Sequence, residues 1–424
     1  MTSQTGSKLR SQATRRFQAA LTGICLTMLM HPQQGPVAAK RLGASSGEIT
    51  SLTGLRGIAA CLVMVYHFVQ DGMFSTETLH GPARVFMLHG YLAVDLFFVL
   101  SGFVMALSYS RTFQAGYGLR DYGGFLYKRL ARVYPVYLVA TAATLALAHI
   151  GAARQVSATP AMLLWNLLMI QGWGSGGAQS FVAAAWSIST EFGAYLLFPA
   201  LLAAATGRRP WGWITAAAAV AALVAIASTS PAQVHEVVNG VSFRTGPLDV
   251  YNAGDTLYPL LRCLAGFSLG LVAYRVSSAD AVRRLAGWRY AGDLALAGVL
   301  VVMAVPFSDV LVVLLFAPLV VTLATGRSLT ARVLGRGTAY WLGVVSYSIY
   351  LVHNGVEEAL FGPIQARLAA LHVPHAYSLG FACVIALVIA CSAATYYGIE
   401  RPAQRWARRA AGFGRPAEGS AAGI

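Results

Sequence analysis

Arg56 and His67 stand eleven residues apart in the run LTGLRGIAACLVMVYHF, which is otherwise apolar enough to enter a bilayer. An arginine at the centre of a spanning helix costs about 2.5–3.5 kcal/mol on insertion scales. At roughly 100° and 1.5 Å per residue, eleven steps put both side chains on one helix face about 16 Å apart. A cation near one end and an imidazole three turns further along suit anion binding and proton transfer. The plain alternatives are an arginine that snorkels to the surface and a histidine held by a structural hydrogen bond.

Further apolar runs carry polar groups. Asp95 lies in GYLAVDLFFVLSGFVM. It can pair with Arg56, orient His67, or bond a neighbouring helix. Ser101 and Gly102 of that run suit close helix packing. FLYKRLARVYPVYL holds Lys128, Arg129 and Arg132. The two arginines are three apart and so share a face. Such a pair grips phosphate in bidentate fashion, or sets topology and binds lipid headgroups. In WSISTEFGAYLLFP, Ser187, Glu191 and Tyr195 recur every four residues. In GVVSYSIYLVHN, Ser346, Tyr350 and His353 form a polar stripe that lines a cavity or joins helices. Arg262, in PLLRCLAG, is one more embedded cation, with snorkelling as its plain reading.

The elements that must position these residues are membrane helices. Of 424 residues 57% are hydrophobic and 11% charged, against about 25% charged in soluble domains. The net charge of +15 sits in short clusters between apolar runs. That placement sets topology and forms no nucleic-acid face. Five cysteines, an odd number all inside apolar runs, indicate no disulfide framework, and no metal-ligand spacing appears. No glycine-rich phosphate loop is present.

Roughly 20 apolar residues make a span, and ten are expected: 52–70, 85–110, 129–149, 182–206, 211–229, 257–274, 290–306, 308–325, 338–360 and 377–398. With both termini cytoplasmic, 26 of the 31 basic residues fall on the cytoplasmic side. Counting 160–172 as another span would invert everything after it, so that segment is expected to be interfacial or re-entrant. The fold class is an all-α polytopic helix bundle. Residues 1–47 are expected to be a disordered cytoplasmic extension. AALTGICLTMLM there faintly resembles a signal-peptide core. Residues 48–405 form the transmembrane domain and 406–424 a basic cytoplasmic tail. Embedded histidines, carboxylates and arginines fit two classes: a proton-coupled transporter, or a membrane enzyme whose charged donor enters from the cytoplasm. Paired broken helices of the kind many transporters show are not seen.

Six stretches, in order over about residues 48–405, resemble the acyltransferase-3 family of bacterial membrane O-acyltransferases. They are LTGLRGIAACLVMVYHF, VDLFFVLSGFVM, KRLARVYPVYL, WSISTEFGAYLLFP, VSYSIYLVHN and YGIERP. The resemblance implies transfer of an acyl group, usually acetyl, from acetyl-CoA or another acyl-CoA to a hydroxyl of a sugar or polysaccharide in the bacterial inner membrane. It makes His67 the catalytic base and assigns Arg56, Arg129 and Arg132 to the donor. Asp95 and Glu191 are then expected to support the imidazole, and Tyr350 and His353 to touch substrate. Donor and acceptor are substrates, and no permanently bound cofactor or metal is expected. Membrane lipid is a further partner, and nucleic acid is not. Many relatives carry a C-terminal SGNH-type hydrolase domain. None is expected here, so a separate periplasmic acyltransferase is one way to complete the transfer.

Overall fold

The computed structural model describes residues 48–71, 81–153, 158–174, 181–207, 210–230, 234–236, 242–244, 246–249 and 256–410. The expected extension 1–47, with Cys25 and its signal-like run, and residues 411–424 of the tail lie outside the described residues.

In chain order the helices are α1 (Thr50–Gln70), α2 (Pro82–Leu88), α3 (Ala93–Gln114), α4 (Leu119–His149), α5 (Pro160–Leu167), α6 (Trp186–Thr206), α7 (Trp211–Thr229) and α8 (Tyr258–Ser277). Then come α9 (Asp280–Ala286), α10 (Ala291–Met303), α11 (Asp309–Ala324), α12 (Leu329–Leu334), α13 (Gly337–Ala370), α14 (Ala376–Thr395) and α15 (Arg401–Ala410). A π-helical turn, Tyr396–Glu400, joins the last two. The expected domain boundary at 405 therefore falls inside a helix. Two short strands, β1 (Val234–Glu236) and β2 (Ser242–Arg244), pair antiparallel.

A helix occupies each of the ten expected positions. Length and apolarity qualify seven as membrane spans: α1, α3, α4, α6, α7, α8 and α14 continued through α15. The pair α9–α10, bent by 81°, makes an eighth if counted as one. Helix α11 has only 16 residues. Helix α13 has 34, but its serines, tyrosines, histidine and asparagine lower its apolarity. Helix α4 begins ten residues earlier than expected, so Arg129 and Arg132 lie within the helix body and not at its mouth. Segment 160–172 does not cross. Helix α5 has eight residues, about 12 Å of rise. The chain then turns back, with the Gly172 amide donating to Ser189 Oγ at 3.0 Å and Trp173 Nε1 to the Ser189 carbonyl at 2.9 Å.

Two helix pairs position the site, and both depend on glycine. Helix α1 packs along α13, where a Cβ on Gly57 would stand 2.4 Å from the Gly343 nitrogen. One on Gly343 would stand 1.9 Å from the Thr53 carbonyl oxygen. Helices α3 and α8 meet in the same way: Gly102 lies against the Phe267 carbonyl and Gly270 against that of Val99. In lipid, where the apolar drive between helices is absent, such backbone approach supplies the van der Waals contact that holds spans together. The packing role expected of Gly102 is what the structure shows.

Candidate active site

Helices α1 and α13 run side by side in the same direction. The pairs between them climb in step: Arg56 Nη2 to Ser346 Oγ at 3.5 Å, then His67 Nδ1 to His353 Nε2 at 3.2 Å. Eleven residues of α1 separate the two rungs, and both polar groups of the opening motif face α13.

The surrounding carbonyls fix the protons of the histidine pair. His353 Nδ1 lies 3.1 Å from the Ile349 carbonyl, and His67 Nδ1 lies 3.0 Å from the Val63 carbonyl. A carbonyl only accepts, so each Nδ1 carries hydrogen. His353 Nε2 is then a lone pair, and it accepts from the shared His67 Nδ1–H. The proton of neutral His67 is thus confined to Nδ1, which leaves Nε2 basic. His353 is fully buried, and its ring centroid lies 5.0 Å from that of His67. His67 sits one turn from the C-terminal end of α1, so the dyad is nearer that end of the bundle than its middle.

Arg56, Arg129 and Arg132 gather near the opposite end, around two carboxylates. Arg56 interacts electrostatically with Arg132, Glu191 and Glu400, and Glu400 with Arg132. Arg129 and Glu191 line one narrow cavity with Tyr195 and Ile188. Arg129 Nη2 donates to Tyr109 OH at 3.1 Å, and its guanidinium stacks over that ring. Its Nε is buried with no hydrogen-bond partner among the described residues. Glu400 accepts from Ser348 Oγ at 2.9 Å and from Gln404 Nε2 at 3.1 Å. Three cations against two carboxylates leave an excess positive charge, held where desolvation strengthens attraction to an anion.

The expected supporting carboxylates are engaged elsewhere. Asp95 binds Arg262 through two bonds, from Nε at 2.9 Å and Nη2 at 2.5 Å. Their relative exposures are 0% and 1%, so Arg262 does not snorkel, and the ion pair joins α3 to α8. Asp95 therefore orients neither His67 nor Arg56. Glu191 accepts from Tyr195 OH at 2.7 Å, within its own helix. The side chain that hydrogen-bonds His67 is His353, a residue expected at the substrate. Tyr350 OH lies 2.6 Å from Ser187 Oγ and ties α13 to α6. Sequence reasoning missed Glu400, although it stands in the YGIERP stretch. It also missed a buried cluster in which Asp309 accepts from Tyr91 OH at 2.5 Å and from the Leu248 amide at 2.9 Å, facing His89. Asp249 there accepts from Tyr66 OH at 2.8 Å, next to His67 in the chain. Single acidic residues in loops and at helix starts give no periodic signal.

A family model described as an acyltransferase domain matches residues 49–397. This chain belongs to the acyltransferase-3 family. It is similar to acyltransferase MdmB of Streptomyces mycarofaciens, at 32% identity over 201 residues, 44% of this chain and 48% of that protein. It is also similar to protein 2 in the picA locus of Rhizobium radiobacter, at 42% identity over 91 residues, 22% of this chain and 41% of that protein. The matched regions span about half or less of these curated relatives. No solved structure matches. The acyltransferase-3 region runs from α1 into the π-helical turn, so it contains both histidines and all three arginines. With its apolar helices, membership makes the chain a multi-pass membrane protein.

Proposed function

We propose that the chain moves an acyl group, acetyl foremost, from acyl-CoA to a hydroxyl of a sugar or polysaccharide, with His67 as general base. The observation that carries this reading is the His67–His353 pair, whose hydrogen bonds leave Nε2 of His67 as the basic nitrogen. Coenzyme A carries phosphates that need cations, and Arg56 of α1 with Arg129 and Arg132 of α4 form a cationic cluster at the other end of α1 from the dyad. The donor enters there with its thin pantetheine arm directed along α1 toward the dyad. His67 Nε2 takes the acceptor hydroxyl proton while the oxygen attacks the thioester carbonyl. The tetrahedral intermediate collapses, the C–S bond breaks, and the thiolate recovers the proton from the imidazolium. Positive charge on His67 is met by the His353 lone pair and the Val63 carbonyl. A positioned base of this kind contributes about 10²–10⁴-fold.

The donor side faces the cytoplasm and the acceptor side faces outward, in a bacterial inner membrane. The test is acetyl-CoA turnover by the purified chain and its His67→Ala variant. Loss of turnover at unchanged expression and melting temperature is expected. Full turnover by the variant would sink the assignment.

A further inference from the structure

Just past His353, α13 carries two polar side chains that the mechanism above does not use, one adjacent in the chain and one a helical turn further on. Asn354 and Glu357 have relative exposures of 6% and 4%. Asn354 Oδ1 and Glu357 Oε2 are each buried with no hydrogen-bond partner among the described residues. Glu357 follows His353 by four residues, so it lies on nearly the same face about 6 Å further along. Its charged neighbours are Asp71, which caps α1 four residues past His67 and shares a side-chain hydrogen bond with Glu357, and Glu358. No cation is among them. Buried acceptors without donors are uncommon and destabilising, and each one in a folded protein calls for an explanation. Here two occur within one turn of His353: Asn354 Oδ1 can only accept from a ligand, and Glu357 keeps Oε2 open beside its contact with Asp71.

We propose that Asn354 Oδ1 and Glu357 Oε2 form the acceptor subsite, which binds a polyhydroxylated molecule by taking hydrogen bonds from two of its hydroxyls. The inference rests on the acyl-transfer reading above. A molecule held there offers a neighbouring hydroxyl to His67 Nε2, one turn back along the helix. An anionic acceptor is disfavoured, because Asp71, Glu357 and Glu358 surround the position. The class indicated is neutral polyols and sugars.

The full chain in detergent micelles provides the test, with acetyl-CoA as donor and methyl glucoside, methyl galactoside and glycerol as acceptors. Asn354→Leu and Glu357→Met should raise the acceptor KM at least tenfold and leave the acetyl-CoA KM in place. Asn354→Leu should melt at the wild-type temperature or above it, because it removes an unpaired buried oxygen. Glu357→Gln, which keeps one acceptor oxygen, should fall between. A lower melting temperature with an unmoved acceptor KM would overturn the subsite in favour of a structural role. The polyols should also raise the melting temperature of the His67→Ala variant, and Glu357→Met should abolish that shift. If no polyol stabilises or accepts while acetyl-CoA is still consumed, the ligand class is wrong and the acyl-transfer reading stands. If acetyl-CoA is never consumed but the Glu357-dependent shift persists, that reading fails and the binding site survives.

Discussion

At the scale of residues, His353 stands beside His67 where a carboxylate stands in a Ser-His-Asp triad, and the two orienting groups differ in charge. A carboxylate fixes the imidazole and also stabilises its protonated form. A neutral imidazole fixes it with a lone pair and adds no formal charge. His353→Ala removes that acceptor and leaves the Val63 carbonyl to hold Nδ1–H alone. It should lower kcat by about 10²-fold, within the range of general-base contributions. The acyl-CoA KM should not move, and steady-state kinetics read both. His353→Gln, whose amide oxygen can accept from Nδ1–H, should recover part of the loss. On the donor side, Arg132→Ala should raise the acyl-CoA KM about tenfold, roughly the 1.4 kcal/mol of one charge-assisted contact. If Arg132 meets the 3′-phosphate, the wild type should prefer acetyl-CoA over its 3′-dephospho analogue, and the variant should lose that preference. An unchanged KM would place the donor elsewhere.

At the scale of elements, the dyad exists because α1 and α13 lie close enough for two short side chains to meet. Gly57 and Gly343 set that distance. Gly343→Val drives a side chain into the Thr53 backbone and should cost about 1–3 kcal/mol, the usual range for overpacking. Thermal unfolding measures this, and activity should fall further than stability because the histidines separate. The pair α3–α8 carries a different kind of contact. Arg262→Ala leaves Asp95 buried without its partner and should cost about 3–5 kcal/mol. The double variant Asp95→Leu, Arg262→Met should regain most of that, because it removes both desolvation penalties together. A double variant as unstable as the single one would mean that the pair serves more than cohesion.

At the scale of the whole molecule, ten crossings require α10, α11 and α13 to span separately, whereas length and apolarity qualify seven helices, or eight with the bent pair α9–α10. The short helices α10 and α11 are the weak point of that count. Phe307, in the turn between them, is 78% exposed. In a cysteine-free background, Phe307→Cys should react with a membrane-impermeant maleimide added outside spheroplasts. Labelling only after lysis would show that α10 and α11 do not cross, and would leave eight spans.

The order of the helices, their membrane character and the shared face of Arg56 and His67 were legible in the sequence. Hydrophobic runs and the helical period are local properties, and insertion penalties make every exception stand out. The stripe of Ser346, Tyr350 and His353 was legible as a stripe. Its partners were not, because which helix faces which depends on close approach at glycines hundreds of residues apart in the chain. For the same reason Asp95, a carboxylate one helix away from the dyad, was expected at His67 and instead neutralises Arg262. Sequence by itself determined a bundle of apolar helices with a histidine and arginines that lipid disfavours. Tertiary structure decided that the histidine's companion is a second histidine, because the packing of α13 along α1 brings His353 to His67, while Asp95 is held by Arg262.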